Sequence, residues 1–154
     1  MIPIQHIHPI LVHFPIVFFL TLAAADSFAA VRGHVATGRG ALGNVSTGFA
    51  VLAGGFAVLA YFFGDIALEV AESGGFHSDV AETHEALGET TAILLAIWAA
   101  IRIFMWWRDV RLNRMAAGAL ALVEIAGAAL VVATAYYGGR LVYELGVNVA
   151  AIVH

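Results

Sequence analysis

Four stretches of the chain carry mostly apolar side chains, and each is long enough to cross a membrane as a helix. They cover residues 7–30, 42–63, 83–107 and 115–137. About 20 apolar residues in a helix span the hydrocarbon core of a bilayer. The connections between the stretches are short and polar, so consecutive helices must run antiparallel. The pattern predicts an all-α, integral membrane four-helix bundle that forms a single domain over residues 1–154.

The composition supports a bilayer as the solvent and narrows the chemistry. Hydrophobic residues make up 62% of the chain and charged residues 12%, with a mean hydropathy of +0.91. Cysteine is absent, which excludes disulfides, thiolate metal sites, iron–sulfur clusters and covalently attached haem. There is no basic patch for a nucleic-acid partner. Any metal or haem must therefore be held by histidine, methionine or carboxylate side chains.

The placement of arginine predicts the orientation in the membrane. Short cytoplasmic connections accumulate basic residues. Six of the seven basic residues lie in or beside the first and third connections, and they are Arg32, Arg39, Arg102, Arg108, Arg111 and Arg114. The N-terminus, the acidic second connection over residues 64–82 and the C-terminus then face outward, towards the periplasm in a Gram-negative bacterium. We expect a multi-pass protein of the bacterial inner (plasma) membrane.

This orientation gathers histidines on one side of the membrane. His6, His8 and His13 lie at the outer end of the first helix, and His77 and His84 lie at the outer end of the third. A histidine within a membrane span is costly to bury and by default indicates a function. The outer end of the bundle is therefore the candidate site.

Depth favours His13 and His84 as partners. Asp79 and Glu82 resemble a helix N-cap with its reciprocal acid, so the third helix should begin near Val80. His84 then lies about one turn into its helix, and His13 lies one to two turns into the first. We expect these two histidines to meet at one level and to ligate the iron of haem b from facing helices.

Other residues complete this predicted haem site. Gly88, one turn after His84, leaves room for a porphyrin, and Arg140 is placed to neutralise haem propionates. The alternative for Arg140 is a salt bridge with Glu144 or with the acidic connection.

Helical phase separates the two histidines of the first helix. His8 and His13 point about 140° apart, so they cannot both bind one iron from a regular helix. If His8 and His77 also act as ligands, a second haem or another metal becomes possible. The alternative for His13 is a core histidine that bonds a backbone carbonyl freed by Pro15.

Other assignments remain open. Two histidines with Glu85 or Glu89 can bind zinc, copper or non-haem iron, or the histidines can serve a purely structural role. Glu124 lies near the bilayer midplane, where it is either a proton or quinone contact or a neutral acid. Its partner would then be a hydroxyl, from Thr21, Ser46 or Thr47. We expect Asp26 to pair with Arg32 or Arg39.

The C-terminal outer segment, residues 138–154, begins with paired glycines. Gly138 and Gly139 are expected to end the fourth helix, because glycine permits the positive φ of a helix terminus. Apolar residues between 141 and 149 would then fold over the mouth of the bundle as a lid on the histidine side.

The residues at the outer ends also form a family pattern. It consists of His8-Pro9-x-x-Val12-His13-Phe14-Pro15, His84 in the third span, and Gly138-Gly139-x-Leu141-Val142-Tyr143-x-x-Gly146-Val147. This pattern resembles the bacterial membrane family known as domain of unknown function 2231. The resemblance implies a four-helix membrane module. Members of that family also occur joined to cytochrome c-like or Rieske-type domains, which by analogy favours electron transfer on the outer face.

Together these features predict a small membrane b-type cytochrome with one haem b, or two, and an electron-transfer function more than an enzymatic one. Electrons would pass between a quinone or another membrane donor and an outer-face cytochrome c or Rieske-type partner. The sequence leaves open whether the chain forms a homo-oligomer.

Overall fold

The computed structural model describes residues 6–147 and residue 149, and these form helices and connections without a strand. The helices are α1 (Ile7–Leu11), α2 (His13–Arg32), α3 (Ala41–Ser73), α4 (Asp79–Trp107) and α5 (Arg114–Tyr143). Because α1 and α2 are separated by a single residue, they make one span, Ile7–Arg32, and the described chain has four helical segments long and apolar enough to cross a membrane. The predicted all-α membrane fold is confirmed.

The first span is interrupted at Val12, which separates α1 from α2. Pro15 follows shortly after and has no backbone N–H, so the carbonyl of Leu11 loses the donor that a regular helix would supply. This interruption lies between His8 and His13, which therefore belong to different helices.

The four spans pack in a closed ring around small side chains. α2 packs against α3 and α5, and α4 packs against the same two helices, so that α2 and α4 are diagonal to each other. Phe19, Leu22 and Leu95 lie in the core among buried alanines. A Cβ atom on Gly54 of α3 would lie 2.8 Å from the carbonyl oxygen of Leu95 in α4. Small residues thus allow the close helix contacts that are typical of membrane bundles.

Two helices are longer than the hydropathy pattern predicts. α3 was expected to end near residue 63 and continues to Ser73, and α5 was expected to end at Gly138 and continues to Tyr143. The prediction of a helix end at the paired glycines is wrong, because Gly138 lies within α5 where it packs closely against a side chain of α4. Of the residues expected to form a lid, Leu141, Val142 and Tyr143 belong to α5, and Tyr143 and Val149 are exposed, so they do not cover the bundle as predicted. Residues 150–154 lie outside the described chain.

The two ends of the bundle differ in charge. We call the end that carries the α2–α3 and α4–α5 connections the arginine end, and the opposite end, with α1 and the α3–α4 connection, the histidine end. At the arginine end, the backbone N–H of Arg39 donates to Asp109 at 2.8 Å, and its guanidinium donates to the carbonyl oxygen of Trp107 at 2.6 Å. These bonds join the two connections and cap the end of α4.

Candidate functional site

At the histidine end, two imidazoles meet across the diagonal of the bundle. His8 on α1 and His84 on α4 have ring centres 6.0 Å apart, with ring planes at 77° to each other. Each ring is held by a neighbouring helix. Nδ1 of His8 lies 2.7 Å from the carbonyl oxygen of Ala60 in α3, and Nδ1 of His84 lies 3.1 Å from that of Thr134 in α5. The pair therefore connects all four spans.

These hydrogen bonds fix which nitrogen carries the proton. A carbonyl oxygen only accepts, so Nδ1 of both His8 and His84 must be the N–H donor. In the neutral imidazole the other nitrogen, Nε2, then has a free lone pair. A backbone carbonyl on the remote nitrogen is the usual second partner of a metal-binding histidine, because it sets the orientation of the ring and makes the ligating nitrogen more basic.

A glycine makes room for each ring. A Cβ atom on Gly64 would lie 2.9 Å from Cε1 and Nδ1 of His8, and one on Gly138 would lie 2.9 Å from Cε1 of His84. Any larger residue at either position would force the imidazole to move. Gly88, which was expected to make room for a cofactor, has no described atom within 4 Å of its Cβ position. The glycines that fit the histidines are thus Gly64 and Gly138.

The structure brings His8 to His84 and leaves His13 outside the pair. His13 is the first residue of α2 and is exposed. The expected meeting of His13 with His84 used depth alone. Helical phase, which separates the two residues by about 140°, instead places His8 inward and His13 outward. His6 and His77 are exposed as well, and His77 precedes Ser78, whose hydroxyl accepts from the N–H of Val80. Ser78, and not Asp79, is therefore the N-cap of α4.

Arg140 is engaged with its own helix. Its Nε donates to Glu144 at 2.8 Å, and the guanidinium lies 5.8 Å from the ring centre of Tyr137 and 6.0 Å from that of Tyr136. The salt bridge with Glu144, weighed as the alternative to a propionate contact, is the arrangement present.

A second polar cluster lies towards the arginine end, and the sequence did not predict it. Arg102 of α4 is only 1% exposed. Its Nη1 donates to Asp26 of α2 at 2.5 Å and to Glu124 of α5 at 2.7 Å, and its Nη2 donates to the carbonyl oxygen of Ala36 at 2.9 Å. One side chain thus spans the diagonal of the bundle. We call Arg102, Asp26 and Glu124 the ionic cluster.

The remaining bonds of the ionic cluster are unequal. Asp26 accepts the hydroxyl of Ser46 on Oδ1 and Arg102 on Oδ2. Glu124 accepts both Arg102 and the indole N–H of Trp98 on Oε1, and its Oε2 is buried with no hydrogen-bond partner among the described residues. Both expected pairings are therefore corrected. Ser46 bonds Asp26 and not Glu124, and Asp26 pairs with Arg102 and not with Arg32 or Arg39.

The equal depth of Asp26 and Arg102 in their helices was the signal in the sequence that could have predicted this cluster. Asp26 and Arg102 each lie about 8 to 9 Å inside the arginine end of their helices, and Glu124 lies about 15 Å inside. An arginine that far inside a span must find an anion. Its long side chain brings together residues that are not neighbours in helix packing.

Comparisons with known proteins give a family and no relative of known structure. The family described as "Predicted membrane protein (DUF2231)" matches residues 5–151. No curated protein and no solved structure matches the chain. Within residues 6–147 and 149, no group of three or more histidine, cysteine, aspartate or glutamate side chains is arranged to hold a metal ion.

Proposed function

The chain belongs to the DUF2231 family of predicted membrane proteins, and on that premise we propose that it is a small b-type cytochrome in which His8 and His84 ligate haem iron. The observation that carries this proposal is the shared tautomer of the two rings. Both Nδ1 atoms donate to backbone carbonyls, so both Nε2 lone pairs are free for a ligand.

The number of protein ligands, two, fits haem better than a bare metal ion. A porphyrin supplies four nitrogens of its own and needs only two protein ligands. Tetrahedral zinc would need two more donors than this pair supplies.

The protein would hold and orient the two rings, and the haem would supply one-electron chemistry. The carbonyl oxygens of Ala60 and Thr134 fix the direction of each imidazole and raise its basicity. Gly64 and Gly138 allow the rings to sit close to the helix backbones. Partial burial at the histidine end limits the access of water, which together with ligand identity tunes a haem potential.

This proposal changes the ligand set that the sequence favoured. His8 takes the role first given to His13, and His77 and His13, both exposed, would serve only a second centre. Arg140 would have to give up its bond to Glu144 before it could bind a haem propionate. We therefore propose one haem b, held by His8 and His84.

The orientation and partners belong to the same proposal. Arginine-rich connections favour the cytoplasmic side of a bacterial inner membrane, which places the histidine end towards the periplasm. His8 and His84 would hold a haem there that supplies one-electron chemistry, and the proposed partners are a quinone or another membrane donor and an outer-face cytochrome c or Rieske-type protein. The lipid bilayer is the partner that the four apolar spans themselves require.

The absorption spectrum of the purified protein, expressed with adequate haem, tests the proposal. We expect a Soret band, a reduced α-band typical of haem b, and one iron per chain by elemental analysis. Zinc or copper without these bands would point to a non-redox metal site. Neither bands nor metal would mean that the pair is structural.

The structural alternative has an observation of its own. The two rings already pack against each other and against glycine, and their hydrogen bonds connect α1, α3, α4 and α5. Such contacts between helices need no ligand. The two hypotheses differ in the role of Nε2, which haem ligation requires and a purely structural role does not use.

A further inference from the structure

The ionic cluster contains more negative than positive charge if all of its groups are ionised. Arg102 keeps its proton in proteins, and among residues 6–147 and 149 it is the one cation paired with the two carboxylates Asp26 and Glu124. All three side chains are at most 2% exposed. A net negative charge buried at this depth in a membrane is costly, and one added proton removes it.

We propose that Glu124 carries this proton at neutral pH, which makes the ionic cluster a proton-binding site inside the bundle. The proposal does not depend on haem, because the site lies at the opposite end from the histidines. Along α4, Arg102 is about 27 Å from His84. Two carboxylates that share one cation titrate as a pair and retain one proton over a wide pH range.

The hydrogen bonds indicate which carboxylate is neutral. Both oxygens of Asp26 accept a donor, Ser46 on one and Arg102 on the other, which stabilises its anionic form. Glu124 receives both of its donors on Oε1. Its Oε2, buried and without a partner in the described chain, is the atom that can carry the proton.

Within the described part of the chain, the charged groups that face Glu124 are Asp26 and Arg102. α2 contributes Asp26 and α4 contributes Arg102, together with the neutral indole of Trp98. α3 contributes the neutral hydroxyl of Ser46 through Asp26. The cluster is nearer to the arginine end than to the histidine end.

Infrared spectroscopy of the full-length protein in detergent or lipid tests the proposal directly. At pH 7 to 8 exposed carboxylates are ionised and give no acid carbonyl band. We expect one carbonyl band of a protonated carboxylic acid, which shifts in D₂O and shifts again when glutamate is labelled with ¹³C at its side-chain carboxyl. A spectrum without this band, or a band that the glutamate label does not move, would overturn the assignment.

Three variants complete the experiment. Glu124→Gln should lose the band, and Asp26→Asn should lose it too, because Glu124 then becomes the sole counterion of Arg102. Asp109→Asn, an exposed control, should keep it. A band that survives in Asp26→Asn would contradict the charge-balance argument. If a cluster variant fails to fold, the labelled wild-type protein still decides the outcome.

Discussion

The bundle contains two groups of buried or half-buried polar side chains, the histidine pair and the ionic cluster, and they differ in burial and in hydrogen bonding. The histidine pair at one end and the ionic cluster towards the other each connect all four spans. The ionic cluster is almost fully buried, and its cation donates to acceptors on two carboxylates and one carbonyl. The histidine pair is half-buried and leaves a free lone pair on each ring. The two clusters therefore differ in burial, and each ring of the histidine pair keeps one nitrogen without a hydrogen-bond partner among the described residues.

Removal of the cation should have the largest effect on stability. Arg102→Met leaves Asp26 buried without a counterion, and loss of one partner of a buried ion pair costs about 3–5 kcal/mol. We expect a large loss in the free energy of unfolding, measured by denaturation in detergent. Arg108→Met is the matched control, because Arg108 is exposed at the end of the same helix, and it should change stability by less than about 0.5 kcal/mol.

Equal stabilities of the two arginine variants would contradict the structural role of the ionic cluster. A tolerated Arg102→Met variant would also mean that the two carboxylates are both neutral in its absence. If the histidine pair and the ionic cluster are independent, the Arg102→Met substitution should leave the contact between His8 and His84 unchanged.

Replacement by alanine of a glycine that packs against the histidine pair should have an intermediate effect on stability. A Cβ on Gly138 would lie 2.9 Å from His84, whereas one on the adjacent Gly139 meets no described atom within 4 Å. Gly138→Ala should cost about 1–3 kcal/mol through overpacking and should displace the His84 ring. Gly139→Ala should be neutral or slightly stabilising.

Thermal denaturation of both alanine variants compares these effects, and any haem spectrum reports the ring displacement separately. If Gly139→Ala proved as harmful as Gly138→Ala, the cost would come from the helix and not from the imidazole.

The smallest effect should come from the exposed connection at the arginine end. The N–H of Arg39, with further help from Arg111, lowers the pKa of Asp109 below its usual value. A carboxyl with a lowered pKa stabilises the folded state above its unfolded pKa, and this contribution is lost as the pH falls through the folded pKa. Asp109→Asn should therefore lower stability slightly at neutral pH, and the difference from wild type should vanish in strong acid.

Stability measured against pH for the two proteins checks this expectation. Asn is a suitable replacement because Asp109 has a positive φ of 49°, which asparagine also tolerates. A difference that grows towards acid pH would have the wrong sign.

Hydropathy predicted the spans well and the helix ends poorly, for a physical reason. Apolar runs report where the hydrocarbon lies, but a helix continues into water as long as its residues favour it. α3 therefore extends through an acidic stretch to Ser73, and α5 extends past Gly138 to Tyr143. Those extensions contain Gly64, which packs against His8, and Gly138, which packs against His84.

The sequence predicted a pair of histidines from facing helices, and it named His84 but not His8 as a member of that pair. Histidine positions in the sequence predicted that His8 and His84 lie at the same end of the bundle, and the structure places them there in contact. The choice between His8 and His13 depended on the rotation of the first span about its own axis, which depth along the sequence does not determine. The reach of Arg102 across the diagonal depends on a side-chain conformation, which a linear pattern does not contain.

The comparison of His8→Ala with His13→Ala tests the central claim most directly. Both residues lie in the first span, and only His8 meets His84. In absorption spectra of the purified proteins, expressed with haem, we predict that His13→Ala keeps the Soret and reduced α-bands of the wild type, and that His8→Ala loses the wild-type bands. Loss of the bands in His13→Ala, with His8→Ala unchanged, would contradict the account, as would a wild-type protein that binds no haem.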